Sequence, residues 1–180
     1  MKIVTIGRGA VGAGLAGLWK AAGHQADLLG REGGDASQAD VVLVAVPGDK
    51  ISHALSKVTG LEGKTAIDAT NILPERHGDF PSYAEEVKSF THGPVAKSFN
   101  MNFASLYDAV REQRARPSNW YVADDGAAAI TEQLIRDAGF DPVRVGDLTR
   151  ARDFENAVWL LMGVQPTGGV FYRSAAPGEL

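Results

Sequence analysis

The sequence predicts an α/β protein built on one doubly wound, mostly parallel sheet with a C-terminal helix. Short apolar runs alternate with segments of helical spacing along the chain, as in repeated strand–helix–strand units. The run at residues 41–46 is apolar without a break, which is typical of a parallel strand buried on both faces. No repeat, low-complexity tract or linker divides the 180 residues. We therefore expect a single domain.

The first three elements are the clearest. A β-branched run at residues 2–6 stops at Gly7 and predicts a strand. Apolar residues then recur at helical spacing through residues 10–22, and Gly23 supplies the stop signal of a helix. Residues 25–29 form a second short strand by the same criteria.

The later elements follow in the same way. Strands are predicted at 41–46, 65–68, 95–99, 119–123 and 142–145, and helices at 50–58, 83–90, 103–113, 127–138 and 151–163. Residues 72–82 are predicted to be a loop. The last helix is apolar nearly all round at its C-terminal end, so we expect it to be buried in the domain or in a subunit contact. The domain should span 1–163, and an irregular tail should follow at 164–180.

Glycine is concentrated near the N-terminus. The chain has 21 glycines, where average usage would give roughly 13, and nine of them fall in the first 34 residues. Residues 7–12 read Gly-Arg-Gly-Ala-Val-Gly, a G-x-G-x-x-G pattern that follows a predicted strand and opens a predicted helix. This context is the one that a dinucleotide-binding turn requires. Gly14 and Gly17 lie deeper in the helix, where close packing or close cofactor approach would explain them.

Each glycine of the pattern has an expected role. Gly7 would make the tight turn, Gly9 would let the backbone approach a pyrophosphate, and Gly12 would let the helix pack closely on the strand. Ala10 and Val11 belong to the same turn, at the helix N-terminus that favours anions. The fold class is therefore predicted to be a Rossmann-type NAD(P)-binding domain. The alternative is a flexible turn without a ligand.

The end of the second strand favours NADP over NAD. An acidic residue there usually accepts hydrogen bonds from the ribose 2′-OH of NAD, but Asp27 comes too early and lies inside the strand. Gly30 and Arg31 occupy the tip, and a guanidinium binds a 2′-phosphate through charge-assisted bonds. Two alternatives stay open: Glu32 could pair with Arg31 at the surface, and Arg8 could reach the phosphates or face solvent.

The composition excludes several other function classes. The net charge is −4, so no global basic field attracts nucleic acid, and the absence of cysteine excludes disulfides and thiolate metal sites. No segment approaches the roughly 18 apolar residues of a membrane span. We expect a cytoplasmic protein without a metal, whose partners are a small-molecule or cofactor substrate rather than nucleic acid or membrane.

Several segments together resemble a known family, including Lys-x-Phe-Asn at 97–100 and the Asp-Asp pair at 124–125. The chain is similar to the NADPH-dependent oxidoreductases related to coenzyme F-420:NADP oxidoreductase, whose nucleotide domain is similar to that of pyrroline-5-carboxylate reductase. The resemblance covers about residues 1–163. The segments that carry it are 7–23, 41–47, 67–71, 95–100, 122–125, 138–143 and 146–148.

The resemblance implies where NADP(H) and a second substrate would lie. NADP would lie across the carboxyl edge of the sheet, with residues 7–12 at the pyrophosphate and Gly30 and Arg31 at the 2′-phosphate. The remaining implied cofactor contacts, on the ribose and nicotinamide side, are Ala45, Val46, Pro47 and Asn71. The implied substrate contacts are Asn100, Met101 and Asn102. This second segment differs from the His-Thr-Ile-Pro-Ala of the deazaflavin enzymes, so the acceptor stays open: F-420, a flavin or a small unsaturated substrate.

The sequence assigns no catalytic residue. Hydride transfer to a deazaflavin needs mainly geometry, whereas reduction of an imine or carbonyl needs a proton donor. The candidate donors are His77, Tyr83, His92 and Lys97. His92 is more simply a solvent-exposed turn residue, and Lys97 a snorkelling or ion-paired lysine.

Two functions therefore remain. The first is an NADP(H)-dependent oxidoreductase, and the alternative is an NADP(H)-binding sensor or carrier without turnover. A single cofactor domain with an apolar C-terminal helix predicts a homodimer, because little chain is left for a separate substrate domain.

Overall fold

The computed structural model describes residues 1–71, 79–164 and 169–178. Within these ranges nine strands and five α-helices follow one another, with 3₁₀ helices at Gly48–Lys50, Ala104–Glu112 and Leu148–Arg150. The elements in chain order are β1 Lys2–Ile6, α1 Ala10–Ala21, β2 Gln25–Leu29, β3 Gly34–Asp35, β4 Val41–Val44, α2 Ile51–Leu55, β5 Val58–Thr59, β6 Thr65–Asp68, α3 Tyr83–Thr91, β7 Val95–Lys97, β8 Ser118–Ala123, α4 Asp125–Asp137, β9 Asp141–Gly146 and α5 Ala151–Val164.

Seven strands form one twisted sheet in the order β2-β1-β4-β6-β7-β8-β9. Every neighbouring pair is parallel except β7 and β8. β2 lies on one side of β1 and β4 on the other, so the direction in which the chain crosses the sheet reverses at β1. In sheets of this kind, such a reversal leaves a crevice at the carboxyl edge. The predicted doubly wound, mostly parallel sheet with a C-terminal helix is confirmed.

Alternate residues of the central strands face two separate cores. In β4, Val42 and Val44 pack with α2, α3 and α5, whereas Val41 and Leu43 pack with α1 and α4. All four side chains are fully buried. The uninterrupted apolar run at this strand is therefore explained by burial on both faces, as expected for a parallel sheet.

Some elements differ from their prediction. Residues 104–112 form a 3₁₀ helix rather than an α-helix, and the helix expected at 50–58 is a short 3₁₀ turn followed by α2. Val58 and Thr59 instead form β5, which pairs with β3 in a two-stranded sheet that the sequence did not predict. Most of the expected 72–82 loop lies outside the described residues.

Two glycines of α1 have different surroundings. A Cβ at Gly14 would lie 2.6 Å from Cδ2 of Tyr107, so this glycine lets the 104–112 helix pack against α1. Gly17 is exposed, and nothing lies within 4 Å of the position of its Cβ. Close packing therefore explains Gly14, and that explanation is wrong for Gly17.

The last helix buries only one face in the described structure. Phe154, Glu155 and Val158 are buried, whereas Leu160 is 76% exposed and Val164 65%. Beyond it, residues 169–178 form no helix or strand, and Tyr172 packs edge-on against Trp120, with ring centroids 5.3 Å apart. None of the described helices combines the length and the apolar character needed to cross a membrane.

Candidate functional site

The turn after β1 needs glycine at two positions for the fold itself. Gly7 has φ +117°, and its N–H donates to the carbonyl of Leu29 over 2.9 Å. A Cβ there would collide with the carbonyl oxygen of Ala45, and a Cβ at Gly12 would collide with the carbonyl oxygen of Gly7. The turn is therefore wedged between the ends of β2 and β4, and helix α1 packs directly on it.

Gly9 is different, because the fold does not require a glycine there. It is the N-cap of α1, its φ is −74°, and nothing lies within 4 Å of the position of its Cβ. No side chain caps the helix, and its first turn contains no acidic residue. The first-turn amides, including those of Ala10 and Val11, lack intrahelical acceptors. This combination of open space, free donors and a positive dipole end fits a pyrophosphate.

The tip of β2 brings Arg8 and Glu32 together. Arg8 Nη2 lies 3.1 Å from Glu32 Oε2, and the guanidinium lies against Gly30, where a Cβ would collide with it. The alternative that Glu32 pairs with Arg31 is therefore wrong. Arg31 is exposed, and its carbonyl accepts a hydrogen bond from Lys57 Nζ at 3.0 Å.

On the other side of the crevice, β4 runs into the predicted ribose and nicotinamide segment. The N–H of Ala45 donates to Ile6, which keeps the chain beside β1 for one more residue. Ala45 and Val46 are half-buried, and Pro47 is exposed. These three residues therefore lie at the carboxyl edge next to the glycine turn, and their contact with the ribose and nicotinamide stays a prediction.

Asn71 and Asn100 meet at the ends of β6 and β7. Asn71 Nδ2 donates to the Asn100 carbonyl over 2.6 Å, and Asn100 Nδ2 lies 3.3 Å from Asn71 Oδ1. Asn100 Oδ1 is buried without a hydrogen-bond partner in the described structure. Two residues that the sequence placed at different contacts are thus one hydrogen-bonded pair.

A strained turn places Asn100. Phe99 has φ +62°, a conformation that bulky residues rarely adopt. Its ring is held between Trp19 and Phe140, with centroid distances of 5.8 and 6.3 Å. Strain of this kind persists only where packing holds it, and it occurs most often at functional sites. The turn directs the next residue back toward Asn71.

The other two predicted substrate contacts are buried. Met101 packs in the core on the α3 side of the sheet, and Asn102 Nδ2 donates to the Ser118 carbonyl over 3.0 Å. Their contact with a substrate stays a prediction.

Beneath Asn71 lies a buried charged cluster. Lys97 Nζ lies 2.7 Å from Asp68 Oδ2, and 3.2 Å from both Thr70 Oγ1 and Glu155 Oε1. The side chains of Lys97, Asp68 and Glu155 are completely buried. Glu155 Oε1 also accepts from the N–H of Tyr83 over 2.7 Å, so one carboxylate joins α5, α3 and the sheet. The ion-paired interpretation of Lys97 is confirmed.

Glu155 has an altered acidity. Burial raises the pKa of its carboxyl group, and the nearby Asp68 charge raises it further, although the Lys97 ammonium and the Tyr83 amide act in the opposite direction. The second oxygen, Oε2, has no hydrogen-bond partner among the described residues. Sequence analysis missed Glu155, because its partners lie more than 50 residues away in the chain.

The remaining candidate donors are placed as follows. His92 ends α3 in a left-handed conformation (φ 49°), is exposed, and pairs with Glu62 over 2.8 Å, so its interpretation as a turn residue is confirmed. Tyr83 is buried, with its ring against Gly48 and 5.8 Å from Lys97 Nζ. His77 lies outside the described residues.

The Asp-Asp pair lies at the start of α4. Asp124 occupies the N-cap position, but its side chain does not cap the helix. Its Oδ2 accepts from the Val95 N–H and from Lys88 Nζ instead, so it joins α4 to β7 and α3.

Comparison with known proteins gives structural relatives. No protein-family model and no curated protein matches the sequence. A candidate F420-dependent NADP reductase from Arthrobacter sp. FB24 is 23% identical, with a TM-score of 0.79 over 98% of this chain and all of that chain. A hypothetical protein from Sinorhizobium meliloti is 24% identical, with a TM-score of 0.70 over 96% of this chain and 93% of that one.

A larger enzyme shares the same architecture. The reductive aminase from Aspergillus terreus, in complex with NADPH and ethyl levulinate, is 17% identical, with a TM-score of 0.63 over 90% of this chain. This chain spans 61% of that enzyme's length. The expected likeness to NADPH-dependent reductases is thereby confirmed at the level of the fold: the chain has the Rossmann-type α/β fold of the candidate F420-dependent NADP reductase.

Proposed function

We propose that this protein is an NADP(H)-dependent oxidoreductase, which transfers hydride between the nicotinamide and a second cofactor or a small unsaturated substrate. The observation that carries the proposal is Gly9, a helix N-cap with empty space where a side chain would be. The likeness in fold to the NADPH complex of the reductive aminase supports the choice of NADP(H).

The residues that would hold the cofactor follow the edge of the sheet. The turn 7–12 would take the pyrophosphate, Gly30 and Arg31 the 2′-phosphate, and residues 45–47 with Asn71 the ribose and nicotinamide side. When bound, the nicotinamide supplies or accepts the hydride. The paired amides of Asn71 and Asn100 would orient the reacting partners, and half-buried Ala45 and Val46 would keep water from this end of the crevice.

The surroundings of the crevice favour an acceptor that needs no proton from the protein. Lys97 is committed to Asp68 and Glu155, and His92 points to Glu62 at the surface. A deazaflavin such as F-420, or a flavin, accepts hydride mainly through ring stacking. We therefore propose F-420 or a flavin ahead of an imine or a carbonyl compound.

The experiment compares two alanine variants of α1. Gly9→Ala adds a methyl group where the phosphates would approach, whereas Gly17→Ala adds one on the exposed face of the same helix. We expect NADPH titration by calorimetry to show a loss of at least about tenfold in affinity for Gly9→Ala only. Equal affinity of both variants and the wild type would contradict the proposed site.

Turnover is tested on the same protein. The nicotinamide absorbance is followed after NADPH is mixed with F-420, a flavin or a small imine. Oxidation with one acceptor supports the oxidoreductase. Tight NADPH binding without oxidation by any acceptor would instead favour a sensor or carrier, a candidate supported by the burial of Lys97 in ion pairs.

We also propose a homodimer formed through α5. The exposed residues at its C-terminal end include Trp159, Leu160 and Val164, which are apolar. The same helix carries Glu155, which pairs with Lys97 in the buried charged cluster. A second copy would cover the exposed apolar residues. Light scattering after size exclusion should give about twice the 19.1 kDa chain mass, and a monomer at all concentrations would refute it. Action in the cytoplasm stays a prediction from the sequence.

A further inference from the structure

Strand register brings Arg8 to the tip of β2. Ile6 lies opposite Leu29 in the parallel pair of β1 and β2, and the N–H of Gly7 donates to the Leu29 carbonyl. Arg8 is the second residue after β1, and Gly30 is the first residue after β2. The guanidinium of Arg8 lies across Gly30, in space that any side chain at this position would fill.

A tight turn brings a carboxylate to the same place. The N–H of Gly33 donates to the Gly30 carbonyl over 3.2 Å, so Arg31 and Glu32 occupy the corner of a four-residue turn. Gly33 has φ +79°, and a Cβ there would collide with the Lys57 carbonyl. The turn is thereby fixed in a conformation in which Glu32 Oε2 lies 3.1 Å from Arg8 Nη2.

The charge at this corner is mixed. Arg8, Arg31 and Lys57 supply three cations, and Lys57 is tethered to the turn through the Arg31 carbonyl. Glu32 supplies the carboxylate, and the Arg8 and Glu32 side chains are 55% and 64% exposed. An ion pair this exposed is weak, so a stronger anion can replace the carboxylate. A phosphate dianion is such an anion, because it carries more charge and more acceptor oxygens.

We infer that Glu32 is a specificity-determining residue: it occupies the position of the 2′-phosphate against Arg8, and the phosphate must displace it. The inference rests on the proposed binding of NADP(H). Once displaced, the Glu32 carboxylate still lies beside the phosphate and repels it. With NAD, the same carboxylate is available to accept from the ribose 2′-OH. Glu32 therefore lowers the preference for NADP that Arg8 and Arg31 create.

The test uses two probes that differ only in the 2′-phosphate. Adenosine 2′,5′-bisphosphate and adenosine 5′-monophosphate are titrated by calorimetry into the full chain. Glu32→Gln should bind the bisphosphate about 3- to 10-fold more tightly than the wild type, because one repulsive charge is removed, and the monophosphate no more tightly. The matched control is Glu62→Gln, since Glu62 is an exposed carboxylate that pairs with His92 away from this corner.

Each outcome distinguishes this inference from the proposed function. Weaker bisphosphate binding by Glu32→Gln, or equal changes for both probes, would overturn the role of Glu32 while NADPH binding by the wild type upholds the cofactor site. Failure of the wild type to bind NADPH or either probe would overturn both. Gly30→Ala gives a second measurement, because the added methyl group displaces the Arg8 guanidinium and should reduce affinity for the bisphosphate alone.

Discussion

The ammonium of Lys97 lies 2.7 Å from the carboxylate of Asp68, and neither side chain is exposed to solvent. The two residues end adjacent parallel strands, with Asp68 opposite Lys97 in the register of β6 and β7. Glu155 reaches the same ammonium from α5. A charge placed this deeply is stable only with its partners, so the cluster makes the carboxyl edge depend on all three residues.

Replacing the lysine should be costly. Lys97→Met leaves the Asp68 carboxylate buried without its counter-charge, and we expect a loss of about 3–5 kcal/mol in the free energy of unfolding. Urea denaturation followed by circular dichroism measures it. Adding Asp68→Asn should recover part of the loss. The control Lys50→Met removes a lysine whose side chain is 60% exposed, and it should change stability by less than about 1 kcal/mol.

Glu155 should make stability dependent on pH. Its raised pKa means that the folded protein keeps a proton that the unfolded chain releases above about pH 4.3, the ordinary pKa of a glutamate. This contribution to stability is therefore fully present below that pH and is lost as the pH rises through the raised pKa. In Glu155→Gln, the urea midpoint should therefore decline less as the pH rises above the ordinary pKa of a glutamate. Parallel pH profiles of the two proteins would contradict the assignment.

Alanine substitutions at Gly7 and at Gly17 should change the stability of the fold in opposite directions. Gly7→Ala places a side chain at φ +117° against the Ala45 carbonyl, and should cost at least about 2 kcal/mol of unfolding free energy. Gly17→Ala adds a methyl group in open space within a helix, and should stabilise by about 0.5–1 kcal/mol. Thermal unfolding compares them. A stable Gly7→Ala protein would disprove the wedged turn.

The proposed dimer face should be sensitive to charge. Leu160 is 76% exposed at the apolar end of α5, so Leu160→Asp should leave the fold intact and weaken self-association. Sedimentation equilibrium over a range of concentrations measures the change. Arg152→Asp alters charge at an exposed position near the start of the same helix and is the matched control. Equal dissociation constants for both variants would exclude α5 as the interface.

Local signals predicted much of the fold. The bounds of β1, β2 and β6 agree with the sequence because each strand is a short run that ends at a glycine or a polar residue. The antiparallel placement of β8 had no local signal, since pairing direction depends on how the connection crosses the sheet. The 3₁₀ helix at residues 104–112 packs on Gly14 through Tyr107, a contact between residues far apart in the sequence that no local pattern predicts.

The candidate site was predictable only in part. The glycine turn carries a motif, so its residues could be named before the structure was known. The contacts of Glu155 with Lys97 and of Glu32 with Arg8 join residues 58 and 24 positions apart, and neither pair follows a helical or strand period. Such pairs arise from register and topology, which a single sequence does not encode in local patterns.

The three glycines of the 7–12 turn would respond differently to mutation and selection. In a library of variants selected for folding alone, Gly7 and Gly12 would be retained because the backbone collides with any replacement. Gly9 would drift to other residues, since the fold leaves its side-chain position vacant. Retention of glycine at position 9 would then appear only when the same library is selected for nucleotide binding, which makes this residue a reporter that separates ligand recognition from stability.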